Sequence, residues 1–588
     1  MTKLFTTNFK AYAIEKFISS NPIFYIFLGK HTSFPEDGAP PVPADSVSET
    51  YINGYGEAFV GKAVPPTSIS YMIPRNQWVA NTGYMAYRDT SGALYGNSFY
   101  VSVQTDDGYS VFKCLSNNNT SSIYAPDVNS TSPSDDIYET ADRYQWKLMY
   151  SIPQATFDKF ATRDYIPVFA NTDVKDAAVD GAIDYIDVSY GGSNYDGYTN
   201  GAFQSVQVSG NTRVYTIESS ASANASFYVG SAIKVTSGTG GGQIRTITEY
   251  QVSGSTRTVV VDTPFDPSPT TTSTYDITPR LVVVGGGTGF QGRALVNSAA
   301  SNSIYKVEIV NRGANYSHGS ASVVGNTGGL TNTAVVSVIV GPKNGHGYDP
   351  IRELGGKYVC ITTTFDTTEP VANTKLLDVN EFRTVGLMVN PLLANVHLTY
   401  TGATNIFTIG DVITQANTGA YGLLVADDGV TLSLTNVYGS FLPGNNSVNY
   451  IRGVTGVTPT VAEVSAVYNN GSPALTANVS YVNLTTRIDI SGISGTFLPD
   501  EVVTMTGNTA TSNAIVYYAN TSAVWITSSR GTVGSNITGI TSGATATINS
   551  VTPPDFISGS GNILYLENIS PINKASGQTE TKKIIIEF

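Results

Sequence analysis

Ile183-Asp184-Tyr185-Ile186-Asp187-Val188, closing on Gly192-Ser193-Asn194-Tyr195, recurs 121 residues later as Ile304-Tyr305-Lys306-Val307-Glu308-Ile309 and Gly313-Ala314-Asn315-Tyr316. Each copy alternates apolar and polar side chains, the period of a half-buried strand. Each then ends in Gly-x-Asn-Tyr. The glycine permits a positive φ in the turn, and the tyrosine can fold back as a lid on the core. A strand and turn used twice point to a protein built from small β units.

Composition extends that reading to the whole chain. Of 588 residues, 13% are charged, against about 25% in an ordinary globular protein. Gly 57, Pro 27 and Tyr 36 accompany abundant Val, Ile and Thr. Disorder is excluded by 41% hydrophobic content, because such a chain can bury a core. A long-helix protein is excluded by the scarcity of strong helix formers. The expected class is mainly β: a multidomain, β-sandwich-like core with a few short helices and inserted small β modules.

Charge narrows the partners. Lys+Arg 32 against Asp+Glu 45 leaves −13. No basic stripe offers itself to phosphates or to an anionic bilayer, so neither nucleic acid nor membrane is an expected partner. Cys114 and Cys360 are too few for a disulfide framework or a four-cysteine zinc site. The N-terminus has no basic region followed by a long apolar run, which reads as a soluble chain not exported by a signal peptide.

Local patterns place further elements. Asn8 to Ile18 is predicted helical, with Phe9, Ala13 and Phe17 four apart and Ala11, Ile14 and Ile18 extending the apolar face. Ser19-Ser20-Asn21-Pro22 stops it. Ile23 to Leu28 is a predicted buried strand, and Gln154 to Thr162 a short helix opening after Pro153. Trp78, Trp146, Phe112 and Tyr150 are candidate core anchors. A hairpin-like series runs through Tyr228–Gly230, Ile233–Gly238 and Gln243–Thr248, with further strands at Val259–Val261 and Tyr275–Ile277. A second repeat pairs Phe407-Thr408-Ile409-Gly410-Asp411-Val412-Ile413-Thr414 with Phe497-Leu498-Pro499-Asp500-Glu501-Val502-Val503-Thr504, offset by 90. Phe441-Leu442-Pro443-Gly444 echoes it, suggesting two or more related units.

Sites of chemistry are sparse. Gly287, Gly289 and Gly292 follow a strand in a Gly-x-Gly-x-x-Gly pattern, with Glu308 near the place of a ribose-binding acid. The residues after them, rich in Ser and Asn, do not open a helix, so a glycine-rich β-turn is the better account. His31, His318, His346 and His397 lack ligand spacing, and His318 and His346 lie in glycine-rich turns that read as exposed. Asp106-Asp107 and Asp135-Asp136 fit no calcium loop. Cys114 sits in the apolar run Val111-Phe112-Lys113-Cys114-Leu115 and reads as core. No nucleophile elbow is present. No catalytic, cofactor or metal residue is assigned. Tyr195 and Tyr316 are where a glycan contact would be sought, with turn packing the preferred account.

Six patterns in order carry a resemblance. They are Ile23-Phe24-Tyr25-Ile26-Phe27-Leu28-Gly29-Lys30 after the first helix, Pro40-Pro41-Val42-Pro43-Ala44-Asp45-Ser46-Val47, and Ile73-Pro74-Arg75-Asn76-Gln77-Trp78. Tyr144-Gln145-Trp146-Lys147-Leu148-Met149-Tyr150-Ser151-Ile152-Pro153 and Glu381-Phe382-Arg383-Thr384-Val385-Gly386-Leu387-Met388-Val389-Asn390-Pro391 follow. The last is Leu564-Tyr565-Leu566-Glu567-Asn568-Ile569-Ser570-Pro571-Ile572, with Gln578-Thr579-Glu580 and Ile584 to Phe588. Together they resemble baseplate wedge subunit eight of T-even-type contractile-tailed bacteriophages, over about 1–170, 340–395 and 556–588. The Gly238 to Arg245 stretch and the Gly-x-Asn-Tyr repeat resemble small β units of phage virion proteins.

The resemblance implies a virion tail protein, assembled in the host cytoplasm. It implies a homodimer that contacts other wedge subunits, without enzyme activity or cofactor. The expected organisation is a core at 1–175, inserted β modules at 176–340, a return to the core at 341–395, a second β-repeat insertion at 396–555, and closing strands at 556–588. The C-terminal Ile584-Ile585-Ile586-Glu587-Phe588 is expected to complete a sheet, because a free apolar edge invites aggregation. The alternative is a receptor- or glycan-binding tail protein whose inserted modules touch host sugars.

Overall fold

A computed structural model gives the fold. It describes residues 5–588 apart from 21, 93, 97, 128–136, 196, 207–212, 326–331, 367–380, 392–395, 428, 440, 445–447, 454–458, 469–480, 507–510, 528–535, 553, 557–558 and 572–576. The chain is mainly β, with 38 strands among the described residues and a longest helix of 13 residues, Thr7–Ser19. It forms two compact units. One comprises Met1–Ala11 and Tyr71–Lys357, the other Tyr12–Ser70 and Tyr358–Phe588. Residues 1–175 are thus shared between the units, with divisions after residues 11 and 70.

In the first unit, Tyr100–Thr105, Gly108–Ser116, Gln145–Pro153 and Ile137–Glu139 make an antiparallel sheet in that order. All nine residues of Gly108–Ser116 are buried. Trp146, Phe112 and Tyr150 are fully buried, and the Trp146 ring stacks on Tyr144 at 5.3 Å. Trp78 packs against this cluster, its Nε1–H donating to Ser122 Oγ at 3.1 Å. Pro153 ends the strand and the helix Gln154–Phe160 starts behind it, as the sequence suggests. Further along, residues 198–278 form a seven-stranded sheet module with its own core, including Phe203, Tyr215, Ile233, Val259 and Tyr275. Tyr228–Gly230, expected to be extended, is a turn whose Tyr228 is buried.

In the second unit, a five-stranded sheet runs Tyr481–Asn483, Ala58–Val64, Phe24–Gly29, Thr384–Val389, Asn562–Asn568. Phe24–Gly29 is central and wholly buried, which explains its continuous apolar run. Gly386 lies directly under the Phe27 ring, where any Cβ would collide with it. The C-terminal strand Thr579–Glu587 pairs along its full length with Tyr358–Asp366. The Phe588 ring lies 5.3 Å from that of Phe17. The apolar C-terminus therefore has a paired partner rather than a bare edge.

The first helix buries only part of its predicted apolar face. Ala11 and Ile14 are its buried residues, whereas Phe9 is 54% exposed, its ring 5.4 Å from that of Phe5. The four-residue spacing of Phe9, Ala13 and Phe17 does not mark the buried stripe.

The repeat at offset 90 becomes two closed six-stranded barrels. The first uses Val396–Thr401, Val412–Gln415, Tyr421–Asp427, Thr431–Tyr438, Ile451–Gly453 and Thr460–Tyr468. The second uses Thr486–Ser494, Val502–Thr506, Thr511–Ala519, Ala523–Ile526, Asn536–Gly539 and Thr545–Thr552. Numbered along the chain, both have strand order 1-4-3-2-5-6. Phe407 and Phe497 occupy matching core positions, each 3% exposed. Asp411 and Glu501, each 4% exposed, turn back to accept the N–H of Thr408 and Leu498. The third echo is no further unit: Phe441 sits in the core of the first barrel, and Leu442 binds Gln415 through backbone and side chain.

Candidate functional site

The Gly-x-Asn-Tyr copies interlock. Asn194 N–H donates to Ser301 O at 2.9 Å and Tyr195 N–H to Asn302 O at 3.0 Å. The second copy repeats this with the first: Asn315 N–H to Asp180 O at 2.8 Å and Tyr316 N–H to Gly181 O at 3.1 Å. Ile304 N–H to Gly191 O and Ile183 N–H to Arg312 O complete the exchange. Every bond maps onto its counterpart at the 121-residue offset, so the copies are related by a local pseudo-two-fold. Gly192 and Gly313 both have φ of +63°, and Asn194 and Asn315 are also left-handed. Tyr195 and Tyr316 are 1% and 5% exposed. They are lids, as the spacing suggested, and neither ring is open to a sugar.

This interlock carries Asp184 and Arg312 into a buried charge cluster. On the neighbouring sheet, Lys113 and Lys147 stand directly opposite each other in register, 0% and 1% exposed. Like charges so placed repel, and buried ammonium groups need acids. Lys113 Nζ reaches Glu353 Oε2 at 2.5 Å. Glu353 Oε1 also accepts the N–H of Gly347 at 2.9 Å and of Asp349 at 3.2 Å. Arg312 Nη1 binds Asp184 Oδ1 at 2.9 Å. Burial pulls the Lys113 ammonium below its ordinary value, against the support of Glu353.

His346 lies inside this cluster and is 3% exposed, a correction to its expected exposure. Gly341 presses on its ring edge, and Tyr87 meets it edge-on at 5.0 Å. Gly341 here brings backbone close to a side chain, and Gly345 and Gly347 lie against Val179 and Val174 instead of marking a solvated loop. Asp184 and Glu353 stand 3.9 Å from its two ring nitrogens, beyond hydrogen-bond reach. Their charge is already engaged by Arg312 and Lys113, so they do not hold a proton on the ring. Burial, then Lys113, Lys147 and Arg312, keep the imidazole well below its usual titration range. The signal available in the sequence was a lysine within each of two apolar strands.

Beside the cluster, a polar cleft is lined by Asn118, Asn119, Arg143, Gln145, Tyr305 and Lys306. Its charges are matched within the protein. Lys306 pairs with Glu139, Arg88 with Asp187 at 3.2 Å, and Arg143 covers the Tyr305 ring at 5.3 Å.

The remaining candidates are structural or dispersed. Strand Arg280–Gly285 turns directly into strand Thr288–Asn297, with no helix at the glycines. Gly287 fits beneath Tyr316, where a Cβ would collide with the ring and with Ala314 O. Glu308 binds Lys234 and Arg293, which outweigh its burial and hold its carboxyl low. His31 Nε2 reaches Asp500 Oδ1 at 2.5 Å. His318 is exposed, and His397 is buried with Nδ1 3.0 Å from Ser433 Oγ. Asp106 and Asp107 form an exposed hairpin turn; Asp135 and Asp136 lie outside the described residues. Cys114 and Cys360 are buried free thiols, Cys360 pushed up to about 12 by burial. Among the described residues, no group of three His, Cys, Asp or Glu is placed to hold a metal ion. No helix among them is long and apolar enough to cross a membrane.

No protein-family model matches the chain, and no curated protein matches it in sequence.

Proposed function

We propose that this chain is a structural subunit of a contractile-tail baseplate wedge, acting in the virion by dimerisation and docking to neighbouring wedge proteins, without catalysis. One observation carries the reading. The segments that resemble baseplate wedge subunit eight at Phe24–Gly29, Thr384–Val389 and Asn562–Asn568 are adjacent strands of one sheet. Far apart in sequence, they are joined in one folded core, as ordered remnants of a shared scaffold would be. The modules at 198–278, 396–468 and 486–552 each have a separate hydrophobic core, which suits additions that enlarge a contact surface. Low charge with abundant Tyr and Asn suits wet, shape-complementary contacts. The receptor- or glycan-binding alternative gains nothing from Tyr195 and Tyr316, which are buried.

The test is assembly. The purified chain is expected to dimerise and to join a complex with the other wedge subunits of its phage. A chain that stays monomeric by light scattering and fails to associate with those subunits overturns the proposal.

A further inference from the structure

His346 is the imidazole in the cluster where separate segments of the first unit meet. The groups facing it are Lys113 from strand Gly108–Ser116, Lys147 from Gln145–Pro153, Arg312 from Ser303–Ala314, Asp184 ahead of Tyr185–Tyr190, Glu353 from the helix Pro350–Glu353, and Tyr87. Nδ1 is buried without a hydrogen-bond partner. Both carboxylates are engaged, Asp184 by Arg312 at 2.9 Å and Glu353 by Lys113 at 2.5 Å. A proton on this ring therefore places an imidazolium beside three cations, with the two nearest carboxylates 3.9 Å away and shared with Arg312 and Lys113, at a site closed to water.

We propose that His346 is an acid-sensitive keystone: uptake of one proton by its imidazole releases segment 341–357 from the strands that carry Lys113, Lys147 and Arg312. The closed segment holds the ring neutral. The opened segment exposes an ordinary imidazole, which titrates near ~6.5. Opening then binds a proton at the imidazole, so it is favoured progressively as pH falls below ~6.5, and the imidazole adds no pH dependence above it. Between pH 7.5 and 5.0 one such proton raises the opening equilibrium about 30-fold.

Hydrogen exchange of the full chain at these two pH values, corrected for the intrinsic pH dependence of exchange, reads this directly. Peptides covering 341–357 are expected to open about 30-fold more at pH 5.0, while the histidine-free module 198–278 serves as reference. His346→Gln removes the proton site and keeps Asp184 and Glu353, so its response is expected to fall to that of the reference. Wild-type peptides that follow the reference overturn the proposal. So does a His346→Gln protein that keeps the acid response, which would assign it to the carboxylates. Should that variant fail to fold, C2-hydrogen exchange of His346 in the wild type decides. Slow exchange with a midpoint well below 6.5 supports the keystone, and an ordinary midpoint near ~6.5 overturns it.

Discussion

Gly192→Ala tests the interlock at its tightest point. At φ of +63° an L-residue costs about 1–2 kcal/mol. A Cβ would also lie 2.7 Å from Ala334 N, 2.7 Å from Asn332 O and 2.9 Å from Tyr195 Cε2. Two of these atoms are backbone and cannot swing away, so an overpacking cost of about 1–3 kcal/mol is added. The unfolded chain loses entropy on gaining a Cβ, which returns about 0.4–1 kcal/mol. The net destabilisation is about 3 kcal/mol. Gly254 is the control, because it is also left-handed, at +55°, but has nothing within 4 Å of its Cβ position; there the net cost is about 1 kcal/mol or less. Local hydrogen exchange is the assay. Exchange of the Tyr195 amide, bonded to Asn302 O, should rise roughly 100-fold in Gly192→Ala and roughly fivefold or less near Gly254 in its own variant. The exchange is reciprocal, so peptides over 301–304 should loosen too. Equal effects at the two glycines, or a Gly192→Ala protein with unchanged Tyr195 protection, would refute the reasoning.

Three further outcomes are expected. Burial raises the Asp555 carboxyl to about 6, so the folded state holds a proton that the unfolded state gives up near ~4. Stability of the second unit should fall by up to about 3 kcal/mol as pH rises from ~4 to ~6. Asp555→Asn, still able to accept the Asn483 N–H, should remove that slope in urea titrations followed by Trp525 fluorescence. Lys113→Met strands the Glu353 carboxylate and should cost about 3–5 kcal/mol, while adding Glu353→Gln should recover much of it; a double-mutant cycle without coupling would contradict the pair. Tyr198 sits opposite Ile277 on paired strands, so the ends of the 198–278 module are adjacent. Replacing it with a short glycine linker should leave the Tyr195 and Tyr316 amides protected, and the excised module should unfold cooperatively by itself.

Periodicity and turn chemistry were legible where local physics decides them. The alternating strands, the left-handed Gly-x-Asn-Tyr turns, the buried run at Phe24–Leu28 and the paired Phe407 and Phe497 units follow from residue spacing alone. What failed depended on the company a residue keeps. Phe9 has helical spacing yet stays exposed, while Ala11 and Ile14, on the same predicted apolar face, are buried. His346 stands among glycines, yet Gly341 lets backbone approach its ring and Gly345 and Gly347 lie against Val179 and Val174. Lys113 and Lys147 stand on apolar strands, and only register sets them face to face beside Glu353 and Asp184. The division at residue 70 falls inside the strand Ile69–Pro74, so no turn marks it.

The two duplications have different physical consequences. Each barrel closes its hydrogen-bond ladder on itself, its last strand pairing with its first, so each copy is satisfied alone. That independence lets the chain return to the five-stranded sheet between them at Tyr481–Asn483. It also leaves the copies free to diverge at the rim. Asp500 in the second barrel binds His31, and the neighbouring Tyr517 hydroxyl donates to Glu57 O at 2.7 Å, which anchors that barrel to the sheet. The first barrel has Gly410 at the Asp500 position, with the same backbone bond to the adjacent strand but no carboxylate to make that anchor. The Gly-x-Asn-Tyr copies have no such freedom. Each satisfies backbone groups of the other, so losing either one leaves buried N–H and C=O groups unpaired in its partner. A substitution that weakens one copy, at 183–195 or at 304–316, is therefore expected to weaken both.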